Sequence, residues 1–540
     1  MLKKILIMLA TVFLVRGLWL VSSDETLDLH SGQQFTGHLI DFAESLKSGN
    51  LFPQWSVYAR GGLGSPYLGF YQPGFAYIAS ACLVMTGDPQ TAIALAISLF
   101  TVMGAIGIYF LARKIFNSGL IAASVATAFL GHPYMAVNLY ERGDFAEFAW
   151  AMTLPWVFTG PARTLALAAC VLLHPLLSYP LFLGMAFASR RNWPSLTIAA
   201  LLSAFYWLPL LRELDLVSVD KAFVPALQPA RHMLATGHVL MVGSNAPAPF
   251  HYQPNWILQL VALAGAFSAL QKKDPLHRVA LSSVVVLAGI YFLMSPASLP
   301  LWNYFPLLSK LQFPWRLQNF AALAVALLAG CGLSRLAREV KSPRLKSFAL
   351  AAVAMMICLP LASTSPRLSP QPPLRTVDDI LRSGFLGDPM DEWLPRNATV
   401  RVGNPDEATR SRESIGPCEI SSVRRSPGRL SFSAKPSSNP GAAPTSCEVT
   451  LPQFFYPGGW TLTPDIPLRE RQGFIVIDIP VGNLAEGRQE IVLTSKSSPG
   501  RRAGIAISTL ALLGLPVTAA LRKRQRRRVT MPVDKSPGSI

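Results

Sequence analysis

The stretch YLGFYQPGFAYIASACLVM, residues 67 to 85, decides how this chain is threaded through a membrane. It is apolar, and a longer apolar run at 90–111 follows it and ends at Arg113 and Lys114. If both runs crossed after an outward first span, these two cations would lie outside, whereas Lys and Arg concentrate in cytoplasmic loops. The sequence therefore predicts that residues 67–86 are a juxtamembrane or re-entrant segment. Such a segment lies against protein or at the interface, because irregular backbone facing lipid cannot satisfy its polar groups.

Composition indicates a helical membrane protein around this segment. Of 540 residues, 51% are hydrophobic and 14% are charged. The apolar residues form many runs of about 16 to 22 residues, which predicts an α-helical polytopic membrane protein with about 10–12 spans. The first run, 5–22, has no small-residue cleavage site and is expected to remain as a span.

The net charge of +18 is explained by topology rather than by nucleic acid. With 67–86 not crossing, the basic clusters from Lys3–Lys4 to the RKRQRRR run at 522–528 all fall on the cytoplasmic side. Both termini are then expected in the cytoplasm, with anionic lipids as partners at that face. We expect no nucleic-acid partner.

The chain divides into four predicted parts. Residues 1–363 form a multi-span membrane domain, 364–500 an exoplasmic β-rich domain, 501–528 the last span with its cationic stop, and 529–540 a cytoplasmic tail. The alternating runs RLSFSAK, CEVTLPQFF, GFIVIDIP and RQEIVLTSK predict a small β-sandwich-like module in the second part. Cys418 and Cys447 fall in this outer module, where a disulfide could persist, and their pairing is left open.

Candidate chemistry is concentrated in the predicted outer loops. The chain has no phosphate loop, no GxSxG motif, no zinc-ligand spacing and no DxD pair. In the first loop, Asp24 and Asp28 are four positions apart, with His30 and His38 nearby. Asp28 could act as a general base towards an acceptor hydroxyl, with His30 as a further candidate. The alternative is that Asp24 and its neighbour only cap a surface helix.

Two further segments offer cations and carboxylates. Arg60 and the GGLGSP turn at 61–66 could bring a guanidinium and backbone amides to a phosphate, although such a turn is often only a turn. The stretch YERGDFAEF at 140–148 holds Arg142, Asp144 and Glu147. It could be a solvated connector, but Glu147 already lies inside an apolar run, where a charge costs roughly 2.5 to 3.5 kcal/mol at the bilayer centre.

The segment LQFPWRLQNF at 311–320 places Arg316 beside Trp315 at the predicted outer start of a span. One interpretation is an interfacial tryptophan with an arginine whose head reaches water. The other is a cation that holds the phosphate of a lipid carrier. The pair His174–Pro175 is interpreted as a break between two short apolar halves of 164–188 rather than as a ligand.

Six motifs in a fixed order carry a family resemblance: SGNLFPQWS, GLGSPYLGFYQP, RGDFAE, LQFPWR, EWLP and YPGGWTLTPD. Together they resemble the bacterial membrane family labelled 6-pyruvoyl-tetrahydropterin-synthase-related, over nearly the whole chain. The label does not imply pterin chemistry. The architecture is similar to that of the GT-C glycosyltransferases, which take sugar from a polyprenyl-phosphate donor on the outer face of the membrane.

The resemblance implies a membrane glycosyltransferase that moves a sugar from a polyprenyl-phosphate-linked donor to an envelope glycan or lipid acceptor. It implies Asp28 as general base, Glu147 or Asp144 as a second acidic group, and Arg142 or Arg316 as phosphate-binding cations. Trp55, in SGNLFPQWS, is a further expected substrate contact. The cofactor is unknown, with a divalent cation as a possibility, and the expected location is the bacterial cytoplasmic membrane. The alternatives are a lipid or polymer transporter and a catalytically inactive envelope assembly protein.

Overall fold

A computed structural model describes most of the chain. The described residues are 1–21, 26–27, 32–160, 162–223, 228–233, 255–363, 368–369, 373–387, 391–398, 414–415, 418–436, 446–480 and 489–529. Asp24, Asp28 and His30, three candidate residues of the first loop, lie outside these ranges.

The described residues are mostly helical. The α-helices are Leu2–Trp19, Gly32–Lys47, Tyr67–Phe70, Pro73–Thr86, Pro89–Phe116, Gly119–Leu130, Pro133–Val137, Phe145–Val157, Arg163–Leu173, Pro175–Ala188, Trp193–Leu202, Ala204–Glu213, Trp256–Ala266, His277–Met294, Leu299–Tyr304, Pro306–Ser309, Gln318–Glu339, Pro343–Ser363, Val377–Ser383 and Pro499–Val529. Their apolar runs confirm the predicted fold class, an α-helical polytopic membrane protein that carries a β-rich region near its C-terminus.

Four helices in the described part of the chain are long and apolar enough to cross a membrane: Pro89–Phe116, His277–Met294, Pro314–Glu339 and Pro343–Ala362. Two bent pairs raise the number to six if each pair is one span, Gly119–Leu130 with Pro133–Arg142 at 45° and Arg190–Leu202 with Ala204–Leu216 at 72°. Several shorter apolar helices accompany them, among them Pro73–Thr86 from the opening stretch. The count of ten to twelve spans stays a prediction.

Contacts between helix ends bring together the segments predicted to be cytoplasmic. The side chain of Lys3 lies against Gly119. The Nη1 of Arg163 donates a 3.3 Å hydrogen bond to the Oδ1 of Asn192, which follows Arg190 and Arg191. Arg338 pairs with Asp274 at 2.9 Å. Each contact joins two of the segments predicted to be cytoplasmic as a pair; the side of the membrane they occupy stays a prediction.

Small residues bring two helices of the bundle into backbone contact. A Cβ at Gly265 would collide with the carbonyl oxygen of Leu328, and one at Gly332 would collide with that of Val261. Helices Trp256–Ala266 and Gln318–Glu339 therefore pack backbone against backbone. Such close approach is typical of membrane helices, whose association depends on packing because lipid supplies no hydrophobic driving force.

In its described residues, the β-rich region forms a sandwich of two four-stranded antiparallel sheets. In chain order the strands are β1 (Thr26–Leu27), β2 (Leu368–Ser369), β3 (Ser414–Ile415), β4 (Cys418–Ser426), β5 (Arg429–Pro436), β6 (Ser446–Phe454), β7 (Trp460–Thr463), β8 (Leu468–Arg471), β9 (Phe474–Pro480) and β10 (Gln489–Ser495). One sheet has the order β4-β5-β10-β7 and the other β3-β6-β9-β8, while β1 pairs with β2 alone. The four runs predicted as strands are β5, β6, β9 and β10.

The cysteines agree with this division. Cys82, Cys170, Cys331 and Cys358 are free and buried in the helical part. Cys447 on β6 is disulfide-bonded. The side chain of Cys418 lies outside the described residues, so the predicted pairing of Cys418 with Cys447 stays a prediction.

The sandwich packs on the loop at 48–66, which follows the helix Gly32–Lys47. The amide of Phe454 donates to the carbonyl oxygen of Leu63 at 2.9 Å, and the Nε of Arg425 donates to that of Gly62 at 3.3 Å. The ring of Trp55 meets that of Trp460 edge to face, with centroids 4.9 Å apart. Residues of the loop and the inner faces of both sheets thus form one apolar core, separate from the core of the helical bundle.

Candidate functional site

The stretch YERGDFAEF folds into a tight connection between two helices. Residues Asn138–Arg142 form a single π-helical turn after the helix Pro133–Val137. Gly143 then adopts φ 63°, a left-handed conformation that glycine adopts without steric cost. The side chain of Asp144 accepts a 3.0 Å hydrogen bond from the amide of Glu147 and so caps the helix Phe145–Val157. The turn and the cap place Arg142 and Glu147 side by side.

Glu147 is fully buried, and one of its oxygens accepts three contacts. Its Oε1 lies 2.7 Å from the Nη1 of Arg142. The same oxygen accepts a 2.7 Å hydrogen bond from the hydroxyl of Tyr134 and a 2.8 Å hydrogen bond from the side-chain amide of Asn319. Arg142 also donates to Asn138 at 2.5 Å and pairs with Asp144 at 3.1 Å. A buried carboxylate persists in an apolar bundle only when it is paired and hydrogen-bonded in this way.

The second oxygen of Glu147 faces two residues from distant parts of the chain. Its Oε2 lies 3.3 Å from the Nε of Arg316 and 3.7 Å from the Nε2 of His174. The Nδ1 of His174 accepts a 3.2 Å hydrogen bond from the amide of Leu177, which caps the helix Pro175–Ala188. The predicted break at His174–Pro175 is confirmed, and the same geometry directs the other ring nitrogen of His174 towards Glu147.

Arg316 is held from the other side as well. Its Nη1 donates to the carbonyl oxygen of Leu311 at 2.9 Å and to the Oε1 of Gln312 at 3.1 Å. Its guanidinium lies 4.9 Å from the centroid of the Phe313 ring, which stacks on Trp315 at 4.7 Å. Trp315 also packs with Tyr134, so Phe313, Trp315 and Tyr134 form an aromatic layer beside Arg316 and Glu147.

We call Arg142, Asp144, Glu147, His174 and Arg316 the ion cluster. Two guanidiniums and two carboxylates balance one another, with Asp144 the more accessible carboxylate at 15% side-chain exposure. A phosphate that reached the two arginines would meet two fixed donors of the kind that bind oxyanions. Because the cluster lies in an apolar bundle, electrostatic contacts there are stronger than at a wet surface.

Asp144, Glu147 and His174 offer ligand atoms within 4.8 Å of one another, as a metal site would. The surrounding contacts do not fit a divalent cation. Both oxygens of Glu147 face guanidiniums, which repel a dication, and the Nδ1 of His174 is occupied by a backbone amide. His174 then carries its proton on Nε2, the nitrogen that a metal at this position would need. We derive no step through a metal here.

Two of the predicted substrate-binding residues lie elsewhere in the described structure. Arg60 is buried and pairs with Asp391 at 2.7 Å, and its backbone amide donates a 2.6 Å hydrogen bond to the carbonyl oxygen of Phe385. Trp55 belongs to the core shared by the first loop and the sandwich. The structure therefore brings together Arg142, Asp144, Glu147 and Arg316 with Trp315, and it places Arg60 and Trp55 in the other core.

A second buried polar pair lies on the amphipathic helix Gly32–Lys47. Asp41 is 1% exposed and accepts a 2.8 Å hydrogen bond from the hydroxyl of Tyr67. Burial raises the pKa of Asp41 to about 6, although hydrogen bonds from Ser56 and Tyr67 act in the opposite direction. Burial lowers the pKa of His38, one turn earlier, to about 4.

Sequence reasoning missed four members of the site's surroundings: Tyr134, Asn138, His174 as a contact, and Asn319. Each is a polar residue within an apolar run, which is the signal that could have marked them. The spacing Asp144-x-x-Glu147 also matches a helix-capping pattern and predicts the local turn.

No family model and no curated protein matches this chain. Among solved structures, it is similar to the Archaeoglobus fulgidus oligosaccharyltransferase in complex with Zn and sulfate, at 11% identity and a TM-score of 0.39 over 68% of this chain and 54% of that one. It is similar to the archaeal oligosaccharyltransferase AglB from Archaeoglobus fulgidus, bound to an inhibitory peptide and a dolichol-phosphate, at 11% identity and 0.38 over 68% and 56%.

A third similar structure is ArnT from Cupriavidus metallidurans bound to undecaprenyl phosphate, at 12% identity and a TM-score of 0.42 over 77% of this chain and 81% of that one. The chain spans little more than half the length of the two oligosaccharyltransferase chains. Similarity of this degree does not establish the activity of this chain, which has to be inferred from its own residues. The resemblance to the 6-pyruvoyl-tetrahydropterin-synthase-related family stays a prediction.

Proposed function

We propose that this protein is a membrane glycosyltransferase that moves a sugar from a polyprenyl-phosphate donor to an envelope glycan or lipid on the outer face of the bacterial cytoplasmic membrane. The observation that carries the proposal is the carboxylate of Glu147 held between Arg142 and Arg316 inside an apolar bundle. Ionisable groups in such surroundings are expensive and usually serve function. Here the group combines acidic residues with two phosphate-binding side chains.

The reaction needs one base and well-placed cations. The acceptor hydroxyl attacks the anomeric carbon and gives its proton to Asp28, while the bond from that carbon to the phosphate oxygen breaks. The phosphate leaves as an anion, so it needs cationic stabilisation more than protonation. Arg316 and Arg142 fill that role, and Asp144 and Glu147 supply the second acidic group and set the positions of the guanidiniums.

A transporter would need charges distributed along a transmembrane path. In the described residues the charges of the ion cluster lie together at helix ends: Asp144 caps the helix Phe145–Val157, and Arg316 lies just before the helix Gln318–Glu339. Tyr140, beside the ion cluster, donates to the carbonyl oxygen of Leu14 at 2.5 Å, and Arg16 donates to that of Ala362. These contacts join the cluster to the ends of helices Leu2–Trp19 and Pro343–Ser363, which favours chemistry at a surface over passage through the bilayer.

The decisive experiment is mass spectrometry of lipid-linked and envelope glycans from a deletion strain, complemented in turn with variants of the chain. We expect the deletion strain to lose one glycan modification and to accumulate its lipid-linked donor. Asp28→Asn, Glu147→Gln and Arg316→Gln should fail to restore it, whereas Arg335→Gln, at the opposite end of the bundle, should restore it. Unchanged glycans in the deletion strain would refute the proposal. Movement of a labelled lipid in proteoliposomes without sugar transfer would favour a transporter instead.

A further inference from the structure

A cavity of about 270 Å³ lies where the first loop, the helix Ala204–Glu213, the sandwich and the start of the last helix meet. It is far along the chain from the ion cluster and belongs to the apolar core of the sandwich. Its walls include the aromatic residues Trp55, Phe70 and Tyr456 beside polar and charged side chains. Ligand sites commonly combine such walls with a few polar groups placed to orient the ligand.

Among the charged side chains that line this cavity, Arg501 is the buried one. It is 5% exposed, and its Nε has no hydrogen-bond partner among the described residues. Its guanidinium lies in the cavity wall beside Gly69, because a Cβ at Gly69 would be 3.0 Å from the Nη2 of Arg501. A side chain at position 69 would therefore press on the guanidinium, and glycine leaves it room to face the cavity.

The charges around Arg501 are not balanced. The cavity is lined by three cations, Arg212, Lys496 and Arg501, and by one carboxylate, Glu213, in the described part of the chain. Glu213 already accepts hydrogen bonds from Tyr456, at 3.0 Å, and from Ser498. A buried guanidinium with an unused donor and an excess of positive charge is the arrangement that an anionic ligand would complete.

Arg501 also lies in the first turn of the helix Pro499–Val529, and Pro499 and Gly500 line the same cavity. The N-terminal end of a helix carries a partial positive charge and attracts anions, so a cation there is unfavourable unless an anion joins it. This places two independent sources of positive potential, the guanidinium and the helix end, at one point of the cavity wall.

From these contacts we propose that the cavity is a second binding site, which takes the phosphate group of a ligand whose body packs against Trp55 and Tyr456. The phosphate binds the guanidinium of Arg501, and Lys496 and Arg212 add exposed cations at the rim. The ligand is a sugar phosphate from the aqueous side or the headgroup of an anionic phospholipid, and both present the same group. This site does not depend on glycosyl transfer at the ion cluster.

The test uses the full chain in phosphatidylcholine nanodiscs and two probes. Glucose 1-phosphate is titrated by calorimetry, and phosphatidylglycerol is added to the discs and measured as bound lipid by native mass spectrometry. Arg501→Gln is compared with Arg502→Gln, which removes the same charge one position later from an exposed side chain. We expect Arg501→Gln to weaken binding about tenfold or more and Arg502→Gln to leave it unchanged.

The outcomes distinguish the two possible sources of the ligand, and some of them would refute the proposal. Arg501-dependent binding of glucose 1-phosphate identifies a soluble ligand, and Arg501-dependent binding of phosphatidylglycerol alone identifies a lipid headgroup. If neither probe binds in an Arg501-dependent way, or if both arginine variants lose binding equally, the proposal is wrong. Should Arg501→Gln fail to fold, Lys496→Gln replaces it, because Lys496 is exposed at the rim. Unchanged binding in Lys496→Gln would then overturn the proposal.

Discussion

The Nε of Arg316 lies 3.3 Å from the Oε2 of Glu147, although the two residues are 169 positions apart. This contact joins the beginning of the helix Phe145–Val157 to the beginning of the helix Gln318–Glu339. With Arg142 on the other oxygen, Glu147 is the one carboxylate in contact with both guanidiniums among the described residues. The ion cluster therefore holds the ends of these helices together, in addition to being a candidate site.

Replacing Glu147 by Gln should destabilise the protein strongly. Two buried guanidiniums would lose the charge that offsets their desolvation, and such a loss typically costs about 3 to 5 kcal/mol. We expect a clear fall in the thermal unfolding midpoint, measured by tryptophan fluorescence in detergent. Glu339→Gln is the matched control: it makes the same change at an exposed helix end, where effects stay within about 0.5 kcal/mol. Equal unfolding midpoints for both variants would show that the ion cluster does not stabilise the packing of these helices.

The stability of the protein should depend on pH through Asp41. The pKa of Asp41 is about 6 in the folded protein and 3.8 for an aspartate outside the folded structure, so the folded state holds the proton more tightly. The contribution of the Asp41 proton to the free energy of unfolding is roughly 3 kcal/mol. It is fully present below about pH 4 and is lost as the pH rises through 6.

Asp41→Asn removes the titration and keeps an acceptor for the hydroxyl of Tyr67. We expect the variant to unfold at a higher temperature than the unchanged protein at pH 7.5, and the difference to shrink at pH 4.5. Unfolding midpoints at both pH values test this. A difference that is constant with pH would mean that Asp41 does not titrate in this range.

Gly332 should be intolerant of any side chain. Even a methyl group there would collide with the carbonyl oxygen of Val261 and force two packed helices apart. We expect Gly332→Ala to lower the unfolding midpoint by several degrees, at a cost of about 1 to 3 kcal/mol. Gly289→Ala is the control, since a Cβ at Gly289 meets nothing within 4 Å and alanine favours a helix. A midpoint for Gly332→Ala equal to that of the control would contradict the backbone contact.

Removal of divalent cations should leave the proposed transfer activity intact. The donor atoms of Glu147 and His174 are committed to guanidiniums and to a backbone amide, so they do not form a metal site. We expect protein treated with a chelator to restore the glycan product in a reconstituted assay and to carry no stoichiometric metal by elemental analysis. A bound equivalent of metal that is lost in a His174→Ala variant would refute this interpretation.

Local patterns in the sequence were sufficient to predict four of the strands, β5, β6, β9 and β10. Alternation in RQEIVLTSK predicts a strand because side chains on successive residues point to opposite faces, and the structure has β10 there. The charge rule grouped basic loops that do meet, as Arg338 with Asp274. Arg142, Asp144 and Glu147 were predicted as a group because they are neighbours in the chain.

Long-range partners could not be read from local patterns. Arg316 and His174 reach Glu147 only because three helices pack with their ends together, and no spacing in the chain encodes that. Arg60 is a further case: its glycine-rich turn suggested a phosphate contact, and the fold gives it Asp391 as an ion-pair partner from a distant segment, which no local pattern indicates. The pairing of a charge depends on tertiary contacts that the sequence alone does not rank.

The short pairing of β1 with β2 has a mechanical meaning. Thr26 is opposite Ser369 and Leu27 is opposite Leu368, so backbone hydrogen bonds tie the segment just before Asp28 to the chain that leads into the sandwich. The proposed base thus follows directly, in the sequence, on a strand that pairs with the segment after the helix Pro343–Ser363. A force on the chain that leads into the sandwich would therefore act, through these two residue pairs, on the segment just before Asp28.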